Sequence, residues 1–164
     1  MTVYNHNGVF GVCSRNLDLV EDDGNTFWRI ANTGSPSLRH KLSAMNVAIQ
    51  GELVGPGIQG NPYKLPIHRF FVFNMFDITN QKYLPVDYCH KFALDNGLNH
   101  VPVIMKTNLF GPNFQSTKSI LELANYTSTL NKEIAREGIV FKKCDNPSIS
   151  FKAINNNFLL KEKD

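Results

Sequence analysis

The segment from Val47 to Asn61 combines one acidic side chain with a turn rich in glycine. It reads Val-Ala-Ile-Gln-Gly-Glu-Leu-Val-Gly-Pro-Gly-Ile-Gln-Gly-Asn, so Glu52 lies near the end of an apolar run and Gly55, Gly57 and Gly60 follow it. Glycine lets the backbone turn sharply and approach a ligand closely. A carboxylate beside such a turn is typical of a binding site, with an ordinary strand and surface loop as the alternative.

Two later segments carry charged side chains that suit an anionic ligand. The run Arg-Glu-Gly-Ile-Val-Phe-Lys puts Glu137 five residues before Lys142, and Ser-Phe-Lys puts Lys152 on the next predicted strand. Strand residues at odd separation point to opposite faces, so Glu137 shares a site with Lys142 only if it lies in the turn before the strand. Gly138 permits that turn. We therefore expect these three side chains to converge on one cleft beside Glu52.

Arg15 is a further candidate, because it directly follows a predicted strand in Cys-Ser-Arg-Asn. An arginine at a strand end can clamp a phosphate or a ribose, although a surface ion pair is its commoner role. The C-terminal third is rich in lysine, which suits an anionic ligand, with a solvated face as the alternative. These lysines are Lys142, Lys143, Lys152, Lys161 and Lys163.

The composition indicates an ordinary globular protein of one domain. The chain has 164 residues, of which 42% are hydrophobic and 11% aromatic, and its formal net charge of +3 does not by itself predict nucleic-acid binding. It has neither an apolar run of roughly 18 residues nor a basic leader, which predicts a cytoplasmic protein. The three cysteines lack Cys-x-x-Cys spacing, so we expect reduced thiols rather than disulfides or a zinc site.

The elements that position these residues are predicted to be mainly strands. Asn-Gly between two short β-branched runs predicts an opening hairpin, and capping residues at Thr26 and Ser37 predict two short helices. The fold class is therefore α+β with mainly antiparallel pairing. Further helices are predicted at Pro85–Asn96 and Thr117–Tyr126, and further strands at Arg69–Ile78, Val101–Met105, Gly138–Lys143, Ser148–Ile154 and Phe158–Leu160.

The run from Arg69 to Ile78 is too apolar for a surface strand and is expected at the centre of a sheet. Strict alternation would place Phe71, Phe73 and Met75 on one face and Asn74 on the other. Elsewhere, the sequence contains no Walker phosphate loop, dinucleotide fingerprint, Gly-x-Ser-x-Gly elbow or His-Glu-x-x-His pair. The common nucleotide-binding and hydrolase motifs are thus excluded.

Four blocks together resemble a family. They read Gln-Gly-Glu-Leu-Val-Gly-Pro-Gly-Ile-Gln-Gly-Asn, Phe-Phe-Val-Phe, Glu-Gly-Ile-Val-Phe-Lys, and Phe-Lys-Ala-Ile-Asn-Asn-Asn-Phe-Leu-Leu-Lys. In this order they resemble the later motifs of covalent nucleotidyltransferases, most of all the ATP-dependent RNA ligases of the RNA-repair and editing type. The resemblance covers nearly the whole chain and implies a single adenylyltransferase domain, incomplete at its N-terminus.

The resemblance also implies roles for single residues. Glu52 looks like the acid that holds the ribose hydroxyls of ATP, and Phe73 like the aromatic on which adenine stacks, with Phe76 as the alternative. Asn74 stands where the family often has Asp. Arg15 looks like the arginine that contacts the ribose or the nucleic-acid end.

For the phosphates, Glu137 looks like the acid that supports a catalytic Mg²⁺ through water. Lys142 and Lys152 look like the lysines that neutralise the α-phosphate. Ser150 stands where the family frequently has a further lysine. The implied reaction passes AMP from ATP to a lysine, then to an RNA 5′-phosphate, and a 3′-hydroxyl finally displaces AMP.

One departure concerns the nucleophile. The family's lysine lies in Lys-x-Asp-Gly, whereas this chain has no lysine before Lys41 and its only Asp-Gly is Asp23-Gly24. The resemblance implies that the chain begins just after that motif and is inactive alone. The alternatives are a non-catalytic chain that binds ATP or an RNA end, a subunit that obtains its lysine from another chain, and a DNA ligase or capping-type enzyme.

Overall fold

The order of strands in the main sheet follows from the opening hairpin. In the computed structural model, which describes residues 1–107 and 116–161, the hairpin turns at Asn7 and Gly8 with φ of 50° and 82°. Positive φ at both positions is the type I′ geometry that Asn-Gly favours, so the predicted hairpin is confirmed. Its strands are β1 (Thr2–His6) and β2 (Val9–Cys13), and β3 (Asp18–Leu19) pairs with β2.

The remaining strands of this sheet add to the other side of β1. They are β4 (Val47–Val54), β5 (Arg69–Asp77), β6 (Lys82–Tyr83) and β7 (Asn99–His100), and the sheet runs β3-β2-β1-β4-β5-β6 with β7 also paired to β5. Every pair is antiparallel except β5–β7. A second sheet consists of β8 (Gly138–Lys142) and β9 (Ser150–Ile154), also antiparallel. The predicted α+β class with mainly antiparallel pairing is confirmed.

Two short helices cover one face of the main sheet. They are α1 (Thr26–Asn32) and α2 (Leu38–Leu42), and they contribute Trp28, Ala31, Leu38 and Leu42 to a core with strand residues such as Val3, Ile49 and Met75. The cap of α1 is Asn25 rather than Thr26, whereas Ser37 caps α2 as predicted. Both caps satisfy amide groups that a first helical turn leaves without partners.

The other helices of the described residues flank the strands that bear the charged residues. They are α3 (Val86–Asp95), α4 (Thr117–Ala124) and α5 (Asn156–Lys161). Gly97 follows α3 with a φ of 63° and ends it, as the predicted stop requires. Among the described residues, no helix combines the length and the apolar composition that a membrane span requires.

The interior of β5 does not follow the predicted alternation. Gln50 of β4 pairs with Asn74, but the next residue, Gly51, pairs with Val72, so Phe73 has no partner in the register. Such an extra residue is a β-bulge, which lets Val72 and Met75 both enter the core although they lie three residues apart. The prediction that Phe71, Phe73 and Met75 share a face is therefore wrong, while the central position of β5 is confirmed.

Two predicted strands are also wrong. Val101–Met105 is not a strand, because the pairing with β5 stops after Val101 donates to Val72 O at 2.9 Å, and Pro102 has no amide hydrogen to continue it. Phe158–Leu160 lies in α5. The side chain of Asn155 accepts from Asn157 N at 2.9 Å and so begins a helix where a turn between strands was expected.

Candidate functional site

Glu52 lies on β4, two residues beyond the bulge. Its side chain is exposed, and its carboxylate makes no hydrogen bond or ion pair with the residues that the structure describes. The backbone amide of Gly51 donates to Met1 O at 3.0 Å, and the terminal amino group of Met1 donates to Gly51 O at 2.9 Å. Burial lowers the pKa of this amino group, and the charge of Glu52 partly opposes the effect. Glu52 is thus an acid available to a ligand.

The glycine-rich turn after β4 needs its glycines, as predicted. Gly55 has a φ of 139°, and a Cβ there would lie 2.8 Å from His68 Cα and 2.9 Å from Ile67 O. Gly57 and Gly60 also have positive φ, at 76° and 70°, with open space beside them. The chain can therefore fold back from Gly55 onto the start of β5 only with glycine at this position.

Phe73, the bulged residue of β5, is half-buried and lies beside Lys142 of β8. The Nζ of Lys142 is 4.8 Å from the centroid of the Phe73 ring and donates to Phe73 O at 3.0 Å. It also donates to Asn74 Oδ1 at 2.6 Å, and Asn74 Nδ2 donates to Gln50 Oε1 at 3.1 Å. Burial lowers the pKa of Lys142 below its ordinary value. The bulge and β8 thus place an ammonium against an aromatic face.

Phe76, the alternative stacking residue, is engaged elsewhere. Its ring lies 5.2 Å from the ring of Tyr83 in an edge-to-face arrangement, and the two residues pair directly between β5 and β6. Phe73 has no such aromatic partner among the described residues. Of the two rings, Phe73 is the one whose face adjoins the charged side chains.

Glu137 precedes β8 and forms an ion pair with Lys152 of β9. Gly138 separates Glu137 from the strand interior, and a Cβ at this position would lie 2.2 Å from Ala153 O. Val140 pairs with Lys152, so Lys142, two residues farther along, lies on the same face of the hairpin as Lys152. Glu137 lies outside β8, directly before Gly138, and its ion pair with Lys152 places its carboxylate beside that face.

Tyr63 lies near both predicted acids, Glu52 and Glu137, and was not predicted as a site residue. Burial raises the pKa of its hydroxyl, and the negative charges of Glu137 and Glu52 raise it further, so both carboxylates lie near it. The loop that carries Tyr63 is attached to the second half of the chain, because Lys64 Nζ pairs with Glu133 at 2.6 Å and Asn131 Nδ2 donates to Pro62 O at 3.2 Å. No local sequence feature marks this position, because the long-range contacts of the loop place Tyr63 there.

Arg15 stands apart from this group. It is exposed in the turn between β2 and β3 and makes no hydrogen bond or ion pair with the described residues. Its strand ends at Cys13, which pairs with Thr2, and Thr2 pairs in turn with Gln50. Arg15 thus lies at the same end of the sheet as Glu52 without contacting it.

The described residues contain no group of three or more His, Cys, Asp or Glu side chains that could hold a metal ion. Two surface pockets, of about 150 Å³ and 290 Å³, are lined by other residues than the six predicted ones. Among the predicted residues, the contacts that the structure shows are those of Lys142 with Phe73 and of Lys152 with Glu137.

Comparison with known proteins identifies the same architecture elsewhere. The family model described as RNA ligase matches residues 1–154. No protein with a curated description matches the chain. Structures of Naegleria gruberi RNA ligase are similar: one mutant with ATP and Mn has 37% identity and a TM-score of 0.87, and a second has 36% and 0.88.

A further structure of the Naegleria gruberi RNA ligase, with PPi, has 37% identity and a TM-score of 0.87. In all three comparisons 99% of this chain is covered, but only 48% of the other chain. The chain thus spans about half the length of the structures that it resembles.

Proposed function

The chain belongs to the RNA ligase family, and on this premise we propose that it forms the ATP-binding part of an enzyme that joins RNA ends. The observation that carries the proposal is the position of Phe73. Its ring adjoins Lys142, and the free carboxylate of Glu52 lies on the neighbouring strand. An aromatic face, a cation and an unpaired acid are the groups that a nucleotide requires for its base, its phosphates and its ribose.

In this proposal adenine stacks on Phe73, and Glu52 accepts hydrogen bonds from the ribose hydroxyls. The Naegleria gruberi relative was solved with ATP, which supports a nucleotide as the ligand. Lys142 and Lys152 neutralise the α-phosphate, and Arg15 contacts the ribose or the RNA end. Lys142 can take this role only if its Nζ leaves Asn74 when the nucleotide binds, because Nζ donates to Asn74 Oδ1 at 2.6 Å.

We assign a divalent cation, Mg²⁺, to the phosphate side of this site. Glu137 offers the hard carboxylate oxygen that Mg²⁺ prefers, and one of its oxygens already accepts from Lys152. Since no larger ligand cluster occurs in the described residues, the ion would depend on water and on the nucleotide itself, as Mg²⁺ commonly does. Such an ion neutralises charge on the phosphates. The manganese in the related structures supports this assignment.

The proposed partners are an RNA 5′-phosphate and an RNA 3′-hydroxyl. Joining them requires a lysine that attacks the α-phosphorus of ATP with loss of pyrophosphate, and the 164 residues contain no Lys-x-Asp-Gly. We therefore propose that this single domain binds ATP but does not form AMP-lysine by itself. Incubation with radiolabelled ATP and Mg²⁺ tests this, and an acid-labile labelled protein band would contradict it.

The proposed compartment is the cytoplasm. In support, the three cysteines form no disulfide with one another: Cys13 and Cys89 are at least partly buried and Cys144 is exposed. Free thiols are the usual state of cysteine in a reducing compartment.

Calorimetry with ATP tests the nucleotide site. Phe73→Leu keeps most of the apolar volume but removes the ring, so we expect affinity to fall about fivefold to 150-fold, the equivalent of about 1 to 3 kcal/mol for one stacked base. Phe76→Leu is the matched control, because that ring packs on Tyr83. Unchanged ATP binding in Phe73→Leu, or a larger loss in Phe76→Leu, would contradict the assignment. Glu52→Ala should also weaken ATP binding, while preserving the fold because the side chain is exposed.

A further inference from the structure

The ammonium of Lys142 lies over the Phe73 ring at a point where two hydrogen-bond acceptors meet. Its Nζ is 4.8 Å from the centroid of that ring. From the same position it donates to Phe73 O at 3.0 Å and to Asn74 Oδ1 at 2.6 Å. Both acceptors are therefore within hydrogen-bond reach of any donor that takes the place of the ammonium.

The proposed function removes the ammonium from this point when ATP binds. Adenine then stacks on Phe73, and Lys142 leaves Asn74 to reach a phosphate, a movement that the flexible four-carbon stem of lysine permits. The stacked base would cover Phe73 O and Asn74 Oδ1 and keep water away from them. Acceptors that are buried without a donor are unfavourable, so a donor on the base would be selected.

Gln50 fixes the direction in which the amide of Asn74 points. The two residues pair directly between β4 and β5, and Asn74 Nδ2 donates to Gln50 Oε1 at 3.1 Å. An ammonium has three donors and no acceptor, so the amide must present Oδ1 to Lys142 and Nδ2 to Gln50. Because Gln50 holds the far end of the amide, Oδ1 stays directed at the same point after Lys142 leaves.

The neutral charge of Asn74 also favours this exchange. Lys142 forms no ion pair with the residues that the structure describes. A carboxylate at position 74, where the family often has Asp, would pair with the ammonium, and breaking a buried pair is costly because each charge is left uncompensated. An amide leaves no such charge behind when Lys142 moves away.

The donor that fits this point is an amine on the edge of the base. Adenine carries an amino group at its 6-position, whereas guanine and hypoxanthine carry a carbonyl oxygen that cannot donate to an acceptor. Asparagine commonly recognises the 6-amino group of adenine in nucleic acids. We propose that this amino group replaces the Lys142 ammonium and donates to Asn74 Oδ1 and Phe73 O, so that Asn74 selects ATP over nucleotides with a 6-oxo base. This rests on the proposed function, which takes ATP as the ligand and Phe73 as its stacking residue.

Calorimetry with ATP and with inosine triphosphate tests the proposal. Inosine triphosphate has the same three phosphates but a 6-oxo base, so the unchanged chain should bind ATP about twofold to tenfold more tightly, the equivalent of one hydrogen bond. Asn74→Ala removes the acceptor and should abolish most of this preference. A change in the behaviour of Lys142 alters both affinities alike, because both ligands carry the same phosphates, and it therefore cancels in the ratio.

Two further variants separate the acceptor from its surroundings. Asn74→Asp keeps the size and the acceptor, so it should retain the preference for ATP even if its new ion pair with Lys142 weakens both ligands. Gln50→Leu should lower the preference, because the amide of Asn74 can then turn its Nδ2 towards the 6-oxo group. Asn80→Ala is the matched control, since Asn80 is exposed after β5 and its side chain donates to Asp77 at 2.8 Å. It should leave the ratio unchanged.

The ratio of the two affinities also separates this proposal from the proposed function. If the unchanged chain binds ATP no more tightly than inosine triphosphate, or if Asn74→Ala keeps the full preference, the role of Asn74 fails while nucleotide binding stands. An equal loss of preference in Asn74→Asp or in Asn80→Ala would likewise overturn it. If the unchanged chain binds neither nucleotide, the proposed function fails, and the role of Asn74 fails with it.

Discussion

The ammonium of Lys142 lies 4.8 Å from the centroid of the Phe73 ring and donates to the Phe73 carbonyl oxygen and the Asn74 side chain. The bulge in β5 makes this possible, because it turns Phe73 out of the strand register. A base stacked on the same ring face would compete with the ammonium, whereas a phosphate would attract it. Lys142 is thus expected to oppose stacking of the base and to favour binding of the phosphates.

Replacing Lys142 should therefore change the preference for ATP over adenosine. Lys142→Met keeps the chain length and removes the charge, so ATP should bind about tenfold or more weakly, the equivalent of a charge-assisted hydrogen bond. Adenosine, without phosphates, should bind equally well or more tightly. Calorimetry with both ligands measures the ratio.

Lys143→Met is the control for this prediction, because Lys143 is exposed and pairs with Asp145 at 3.2 Å. It should leave both affinities unchanged. A parallel loss for ATP and adenosine in Lys142→Met would instead indicate a damaged site.

The position of Glu137 outside β8 could be predicted from sequence because a simple geometric constraint applied. Glu137 and Lys142 are an odd number of residues apart, so both reach one face only if Glu137 lies outside the strand. In the structure β8 begins at Gly138, and Glu137 pairs with Lys152. The fold class and the opening hairpin were likewise predictable. Asn-Gly favours the positive φ angles that a type I′ hairpin turn requires.

Other features had no local sequence signal. The bulge at Phe73 depends on the register between two strands, and an alternation rule assumes that no residue is inserted. Tyr63 reaches the acidic side chains because its loop is tied to Glu133 and Asn131 far along the chain. Val101–Met105 has the composition of a strand, but Pro102 has no amide hydrogen to donate to a neighbouring strand. The predictions therefore failed where long-range packing, or the lack of one backbone N–H donor, determined the structure.

The ion pair of Glu137 with Lys152 should affect ligand binding more than stability. Both side chains are partly exposed, at 54% and 39%, so Glu137→Gln should lower the free energy of unfolding by less than about 1 kcal/mol. If Glu137 supports Mg²⁺, the variant should lose most of the gain in ATP affinity that Mg²⁺ gives. ATP titrations with and without Mg²⁺ measure this gain.

Glu133→Gln provides the matched control, because Glu133 forms an exposed ion pair with Lys64 at 2.6 Å. It removes one carboxylate of the same kind from the same half of the chain. An equal gain from Mg²⁺ in Glu137→Gln and in the unchanged chain would refute the metal role of Glu137.

Gly55 should be the most sensitive glycine of the turn after β4. Gly55→Ala forces a Cβ to within 2.8 Å of backbone atoms at a φ of 139°, whereas Gly57→Ala meets only the strain of a φ of 76°. We expect Gly55→Ala to cost about 1 to 3 kcal/mol or more and Gly57→Ala about 1 kcal/mol. Urea unfolding measures both, and a larger loss in Gly57→Ala would contradict the backbone argument.

The three cysteines should differ in their reaction with iodoacetamide. Burial raises the pKa of the Cys13 and Cys89 thiols to about 11, and Asp18 contributes at Cys13, while Cys144 is exposed. Because the thiolate is the nucleophile, only about one in a thousand Cys89 thiols is reactive at pH 8, and that fraction rises about tenfold per pH unit until pH 11. Mass spectrometry of the folded chain should therefore find Cys144 alkylated first. In urea the three sites should react alike, and rapid modification of folded Cys89 at pH 8 would show that the α3 side of the core opens.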